Sequence, residues 1–454
     1  MKTASLAIVI ALTASACGLS FDRTEAGVDG AQPEPAATNT TSAASATTSS
    51  TAPPTTAAPT TVPTTTTPEF LDVPEPTTDP PESAGEWADT VVSVESFWVE
   101  VYEAFSGSDD YVPLDRDRIV GVSDDTSDLP DCARSGLSVH DVEDNAFAAT
   151  CSEGQLVLWD EDDLFEDLLR DFGDTGPTIV IAHEFGHVAQ FQAGVLGRNS
   201  SFIVEQQADC LAGSYAAWAA DRGIAPFDEP EALDAAVGAA VSFRDRPGLS
   251  ANTARAHGSG FDRVRAFQDG FDRGVEFCAG YPDTPPPITE IPFSQEEFAT
   301  GGNLTFDELL SLVTPYFNDF FSAEVNGWEL FEPTTVELTA WRAEHERVGD
   351  NATGTRLAML FAAEAQEILG LESDGVGALL QQACVAGGAF EPLFFERENS
   401  PESLRLSAGD LDEAVITLSR LVESSTDLEP GFLFELIAAL RIGFTDGVEV
   451  CDLT

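Results

Sequence analysis

Five consecutive residues, His183-Glu184-Phe185-Gly186-His187, form an H-E-x-x-H sequence, the combination in this chain with the clearest chemistry. On a helix, side chains four apart lie one above the other, so both imidazoles can reach one metal ion. Glu184, one position along, is turned off the ligand line and can face a water held by that ion. The chemistry served is zinc-assisted hydrolysis, in which the metal acidifies the water and the carboxylate takes its proton. The alternative is a buried amphipathic helix whose histidines only make hydrogen bonds.

A third ligand is available downstream in Glu205-Gln206-Gln207-Ala208-Asp209-Cys210-Leu211-Ala212-Gly213. Glu205 and Asp209 are four apart and share a helical face, and the small Ala208, Ala212 and Gly213 would let this helix approach the first. Glu205 would complete a His183, His187, Glu205 set, and Asp209 would fix the ring of one ligand histidine. An acidic helix face in an acidic protein is the plainer alternative. Cys210 as a ligand is disfavoured, because it points roughly 100° away from Asp209.

The elements that must position these groups are two helices. Pro177 suits a first helical turn, Ile179, Val180, Ile181, Ala182, Val188 and Phe191 supply apolar surface, and Gly194 offers a stop. Gly186 inside the helix costs about 1 kcal/mol relative to Ala, which implies something packed closely against it. The second helix is expected over 201–222.

Several segments in order resemble the bacterial neutral zinc metallopeptidase family of the gluzincin-like group. They are Val94-Glu95-Ser96-Phe97-Trp98; Cys132; Asn145-Ala146-Phe147-Ala148-Ala149-Thr150-Cys151; the strand-like Gln155-Leu156-Val157-Leu158-Trp159-Asp160; the H-E-x-x-H helix; the run from Glu205 to Gly213; and His257-Gly258-Ser259-Gly260-Phe261-Asp262-Arg263-Val264-Arg265-Ala266-Phe267 with Gly270-Phe271 and Cys278. The resemblance covers about 86–285. One departure stands out: where the family usually has a second histidine directly after the second ligand, this chain has Val188. The resemblance implies a zincin-like, predominantly helical α+β catalytic domain that hydrolyses peptide bonds with Zn2+. Glu184 would activate water and pass the proton to the leaving amine, with His257 as a candidate donor to the developing oxyanion and Tyr215 a weaker one. His140 and His345 read as surface residues.

Lys2, the apolar run from Ala4 to Thr13 and Ala14-Ser15-Ala16-Cys17 read as a bacterial signal peptide over 1–16, with Cys17 as a lipidation site; Ala14-x-Ala16 also suits ordinary cleavage and secretion. The location expected is the outer face of the cell membrane. Of 7 cysteines, Cys17 leaves six, an even number for disulfides in an oxidising compartment, with 15 connectivities open. Chain order and the family's segments suggest Cys132 with Cys151, Cys210 with Cys278, and Cys384 with Cys451. Residues 17–85 form a Thr/Pro/Ala/Ser-rich linker that cannot bury enough apolar area to offset chain entropy.

Beyond Pro285-Pro286-Pro287, residues 286–454 read as a helical domain or extension. Ser294 with Glu297 and Thr305 with Glu308 have capping-box spacing, and 309–321, 356–369, 411–422 and 432–444 are apolar at helical intervals. Lys+Arg 21 against Asp+Glu 79 gives a formal net charge of -58, and the sole lysine is Lys2. Such a surface repels nucleic-acid phosphates and anionic lipid, so neither is expected as a partner; the membrane is reached only through the N-terminal lipid. The reading is an exported zinc metallopeptidase acting on a peptide or protein. Its rivals are a catalytically inactive zinc-binding lipoprotein and a zinc hydrolase of a non-peptide bond.

Overall fold

The structure is a computed structural model that describes residues 79–130, 139, 148–151, 156–196, 199–253, 256–395 and 404–453. The signal-peptide segment, Cys17, nearly all of the linker, Cys132, His140, residues 145–147 of the Asn145–Cys151 segment and Gln155 lie outside these residues. The described residues all belong to one compact unit.

Helices dominate, as expected for a mainly helical α+β protein. The chain opens with α1 (Ala88–Ser106), then β1 (Ile119–Val122), β2 (Ala148–Cys151) and β3 (Leu156–Asp160). These strands form one sheet in the order β1-β3-β2, with β1 parallel and β2 antiparallel to β3. Both Thr150 and its partner Val157 are buried. After the short α2 (Glu166–Phe172) come α3 (Thr175–Gln192) and α4 (Ser201–Asp221), the two helices on which the site depends.

Both helices are buried on nearly every face; in α3 every residue from Thr175 to Gln190 is out of solvent. A helix surrounded by protein has no polar face to show, so its sequence carries little amphipathic contrast. Pro177 lies in the first turn of α3, and Gly194 just beyond its end has φ +68°. Ser200 caps α4, its hydroxyl accepting from the Ile203 N–H.

Close helix crossings are made by glycines. A Cβ on Gly186 would stand 3.4 Å from Ala208, so Ala208 is what packs against the H-E-x-x-H helix. Gly213 serves a different neighbour from the one its spacing suggests. It faces α6 (Gly260–Arg273), where a Cβ would come within 1.9 Å of the Phe267 carbonyl oxygen. Gly270 answers from the other side, 1.7 Å from the Cys210 carbonyl oxygen by the same construction. The Cys210–Cys278 disulfide joins α4 to the short α7 (Val275–Ala279) next to this contact. Cys210 is therefore unavailable as a metal ligand. Cys384 and Cys451 form a second disulfide, and Cys151 is also disulfide-bonded.

The remaining helices are α5 (Glu231–Ser242), α8 (Phe306–Glu324), α9 (Thr335–Val348), α10 (Asp350–Leu369), α11 (Val376–Phe395), α12 (Asp410–Glu423) and α13 (Phe432–Asp446). The helices beyond residue 300 pack on the earlier segment, α5 included, through specific bonds. Asp234 of α5 accepts from the Gly431 and Phe434 N–H groups at 2.8 and 2.9 Å, and Gln268 of α6 donates to the Phe434 carbonyl at 2.8 Å. Thr305 and Glu308 form the expected capping box at the start of α8; Ser294 and Glu297 bond reciprocally but lead only into a single 3-10 turn. His345 is buried rather than on the surface. Its ring lies between the Thr353 hydroxyl, at 3.2 Å, and the Leu304 carbonyl, at 3.1 Å, so α9 turns it inward. Among the described residues no helix is long and apolar enough to cross a membrane.

Candidate metal centre

The four-residue spacing of His183 and His187 brings their Nε2 atoms to 3.1 Å of one another. From α4, Glu205 Oε2 comes to 3.2 Å of His183 Nε2 and 3.4 Å of His187 Nε2. All three residues are at least 97% buried.

The protonation of these atoms follows from their other bonds. His183 Nδ1 lies 2.8 Å from Asp209 Oδ1, and a carboxylate oxygen can only accept, so Nδ1 carries the hydrogen. His187 Nδ1 lies 2.8 Å from Gln190 Oε1. The Gln190 amide is oriented by its other end, where Nε2 donates to the Val204 carbonyl and to Gln207 Oε1 at 2.8 and 2.9 Å. With both Nδ1 atoms donating, the two Nε2 atoms are turned toward each other and toward a carboxylate oxygen. Three lone pairs converging there would repel, and positive charge among them relieves this, either a proton shared by His183 and Glu205 or a metal ion. His183, His187 and Glu205 therefore form a group able to hold a metal ion.

Electrostatics agree. Burial opposes charge on His183, but Asp209 and Glu205 outweigh it and push the imidazole up to about 10. Burial would raise the Glu205 carboxyl, yet His187 and His183 hold it well below the usual carboxylate range. Asp209 is likewise depressed against the pull of burial, chiefly by Arg263 and then by His183. The pocket is arranged to stabilise positive charge.

Behind the three ligand candidates stands a buried network. Arg263 Nε and one terminal nitrogen donate to the two oxygens of Asp209 at 2.9 and 2.7 Å, so Asp209 is held in a bidentate grip while it orients His183. Asp209, expected to fix the ring of one ligand histidine, is placed 2.8 Å from His183 Nδ1. Gln206 donates to the His257 carbonyl and Gln207 to the Cys278 carbonyl, both at 2.9 Å, so the three residues Glu205, Gln206 and Gln207 reach in three directions.

Glu184 is buried beside the triad. Its Oε2 lies 2.6 Å from the Thr150 hydroxyl on β2, which also lies 2.9 Å from the Glu184 carbonyl oxygen. Its Oε1 is buried without a hydrogen-bond partner. Burial raises this carboxyl, with His187, His183 and Thr150 acting against it. His257 is buried too, with its N–H donating to Asp245 Oδ2 at 2.6 Å and its Nδ1 3.2 Å from Asp245 Oδ1. Burial works against charging it, but Asp245 and Glu205 raise it overall, which puts His257 within electrostatic reach of the ligand set. Tyr215 sits elsewhere: ten residues along α4 from Glu205, about 15 Å by helical rise, its hydroxyl pairs with Ser93 Oγ at 3.0 Å inside an aromatic cluster with Phe97, Trp218 and Phe227.

Sequence reasoning assigned no role to Thr150, Gln190, Gln207, Asp245 or Arg263. Gln190 had a signal, since it follows His187 by three and so shares its face. Thr150 and Arg263 lie in segments that carry the family resemblance, but only the folded chain shows what they touch.

No family model matches this chain, and no solved structure matches it. Uncharacterized proteins of Mycobacterium bovis and Mycobacterium tuberculosis are 31% identical to it over 150 residues, covering 27% of this chain and 51% of theirs. The alignment thus spans about half the length of the curated relatives.

Proposed function

We propose that this protein is an exported zinc metallopeptidase in which His183, His187 and Glu205 hold the metal and Glu184 is the general base and acid. The observation that carries the reading is the convergence of two Nε2 lone pairs and a carboxylate oxygen beside a buried glutamate whose Oε1 has no partner. Ligands about 2.0–2.1 Å from a tetrahedral zinc stand about 3.3–3.4 Å from one another, and the three donor atoms are 3.1, 3.2 and 3.4 Å apart. Two imidazoles and one carboxylate, leaving one tetrahedral position open, are a donor set typical of catalytic zinc. The packing of β2 against α3 through Thr150 supports a zincin-like catalytic core.

A zinc ion bound there would supply a water acidic near neutral pH and a Lewis acid for the scissile carbonyl. The chain's own residues do the rest. Thr150 holds Glu184 Oε2 and leaves Oε1 to accept a proton, and burial raises the carboxyl so that the proton can be kept and delivered to the leaving amine. Asp209 and Gln190 keep the two rings in the tautomer that presents Nε2. His257, steadied by Asp245, is the proposed donor to the negative charge developing on the carbonyl oxygen. Lipid attachment at Cys17 would place this chemistry at the outer face of the membrane; cleavage without lipidation would release it.

The test is cleavage of a mixed peptide library by the purified protein with and without chelator, beside a Glu184→Gln variant. The reading expects chelator-sensitive cleavage that the variant loses while retaining zinc. Stoichiometric zinc with no hydrolysis in either protein would mark a binding module, and hydrolysis confined to esters or other non-peptide bonds would mark a different hydrolase.

A further inference from the structure

Away from the histidines, Asp350, Asp410 and Glu413 bring one carboxylate oxygen each within 4.8 Å of the other two. Asp350 opens α10, and Asp410 and Glu413 lie in the first turn of α12. All three are buried, at 4%, 6% and 8% exposure.

Helix capping accounts for much of this arrangement. Asp350 Oδ2 accepts from the Leu304 N–H at 2.8 Å, Asp410 accepts from the Ser407 N–H and hydroxyl at 2.7 and 2.8 Å, and Glu413 Oε2 accepts from the Asn351 N–H at 2.8 Å. It does not account for Asp350 Oδ1, which is buried with no donor. Nor does it account for the charge. Burial raises all three carboxyls, Asp350 raises Asp410 and Glu413, and Asp410 raises Glu413, while the groups acting against this are N–H donors and the Ser407 hydroxyl, with no Arg or His among them. The crowding is built in: Gly349, at φ +143°, gives up its side chain where a Cβ would stand 1.8 Å from Glu413 Oε1.

We propose that Asp350, Asp410 and Glu413 form a second, structural metal site that takes a hard divalent cation of the calcium type. Three oxygen ligands with no nitrogen or sulfur select a hard ion over zinc. Calcium bonds of about 2.3–2.6 Å allow oxygens to stand up to about 5 Å apart, and burial disfavours magnesium, which usually keeps several waters. Such an ion would offset most of the cluster's negative charge and give Asp350 Oδ1 a partner.

The site also has a route to the first one. Asp412, in the same turn, accepts from the Phe261 N–H at 2.9 Å and lies 3.4 Å from the Arg244 Nε. Phe261 lies in the first turn of α6, whose Arg263 grips the Asp209 that orients His183. Calcium bound here would brace the turn against which α6 is seated, without touching the zinc ligands.

Calorimetric titration of the chelated full chain with calcium, magnesium and manganese tests this, with melting curves alongside. One calcium per chain is expected, with a rise of roughly 3–6 °C in Tm at a hundredfold excess over Kd. Asp410→Asn with Glu413→Gln should abolish the calcium response and keep zinc; His187→Ala should lose zinc and keep the calcium response. Asp350→Asn, a single isosteric change, serves if the double variant fails to fold. The proposal is overturned if calcium at millimolar concentration neither binds nor shifts the wild-type curve, if the response survives the carboxylate variants, or if magnesium binds more tightly. A cluster that instead shares protons would show no calcium response, with stability falling as pH rises. Because zinc content is read separately, failure here leaves the first site standing.

Discussion

Glu184 has one carboxylate oxygen held by Thr150 and the other without a partner, so its loss should affect chemistry more than structure. Glu184→Gln is expected to retain zinc by mass spectrometry and lower turnover by about 10²–10⁴ in a peptide assay. Arg263 acts one step behind. Arg263→Met should leave Asp209 with its His183 bond alone and weaken zinc about 10–100-fold against a competing chelator. Glu290 tests the electrostatics away from either metal site: both its oxygens are buried without partners, and burial, then Asp245, Asp262 and Asp412, push it up to about 8. A carboxyl whose folded pKa lies above its unfolded one binds its proton more tightly when folded, so stability drains as pH rises between the two. Melting curves of wild type and Glu290→Gln should therefore coincide near pH 4 and separate by pH 9 with the variant higher. Equal curves at both pH values would refute this.

The helices carry the site because they cross at glycines, and two of these make opposite expectations. At Gly186 a Cβ would meet Ala208 at 3.4 Å, ordinary contact, and Ala favours a helix by about 1 kcal/mol, so Gly186→Ala should be neutral to stabilising, by up to about 1 kcal/mol, in urea unfolding. At Gly270 a Cβ would fall 1.7 Å from the Cys210 carbonyl oxygen, so Gly270→Ala should cost about 3 kcal/mol or more or prevent folding. At this scale the sequence was legible where apolar spacing met end signals. Pro177 and Gly194 bracketed α3, and Thr305 with Glu308 announced α8. It was silent for α11, whose Gly387, Gly388 and Pro392 argue against a helix. The glycines are there because a Cβ at Gly387 would lie 2.0 Å from the Leu440 carbonyl oxygen of α13. It was silent for α9 as well, where few apolar residues are buried. Of the first site, His183, Glu184 and His187 stood out by their spacing within one helix, and Glu205 and Asp209 by their shared face on the next, inside segments that carry the family resemblance. Thr150, Arg263 and Asp245 were not, since no motif spacing or shared helical face ties them to their partners 34, 54 and 12 residues away. Asp350, Asp410 and Glu413 were invisible for a related reason, three carboxylates among 79 acidic residues.

The whole molecule carries a formal charge of -58 on a chain whose described residues form one compact unit, so self-repulsion opposes folding and salt should relieve it. Its Tm is expected to rise between about 0.05 and 1 M sodium chloride, where the Debye length shrinks from more than 10 Å to about 3 Å; a flat or falling curve would count against dominant repulsion. Against that acidic background a metal ion can be adsorbed anywhere, so what matters is whether one zinc depends on three particular side chains. The decisive measurement is zinc per chain, after dialysis against a weak chelator, in wild type and in His183→Ala, His187→Ala and Glu205→Ala. One zinc in the wild type and close to none in each variant is the expected result. Substoichiometric zinc in the wild type, or one zinc retained when any of the three is removed, would contradict the proposed centre.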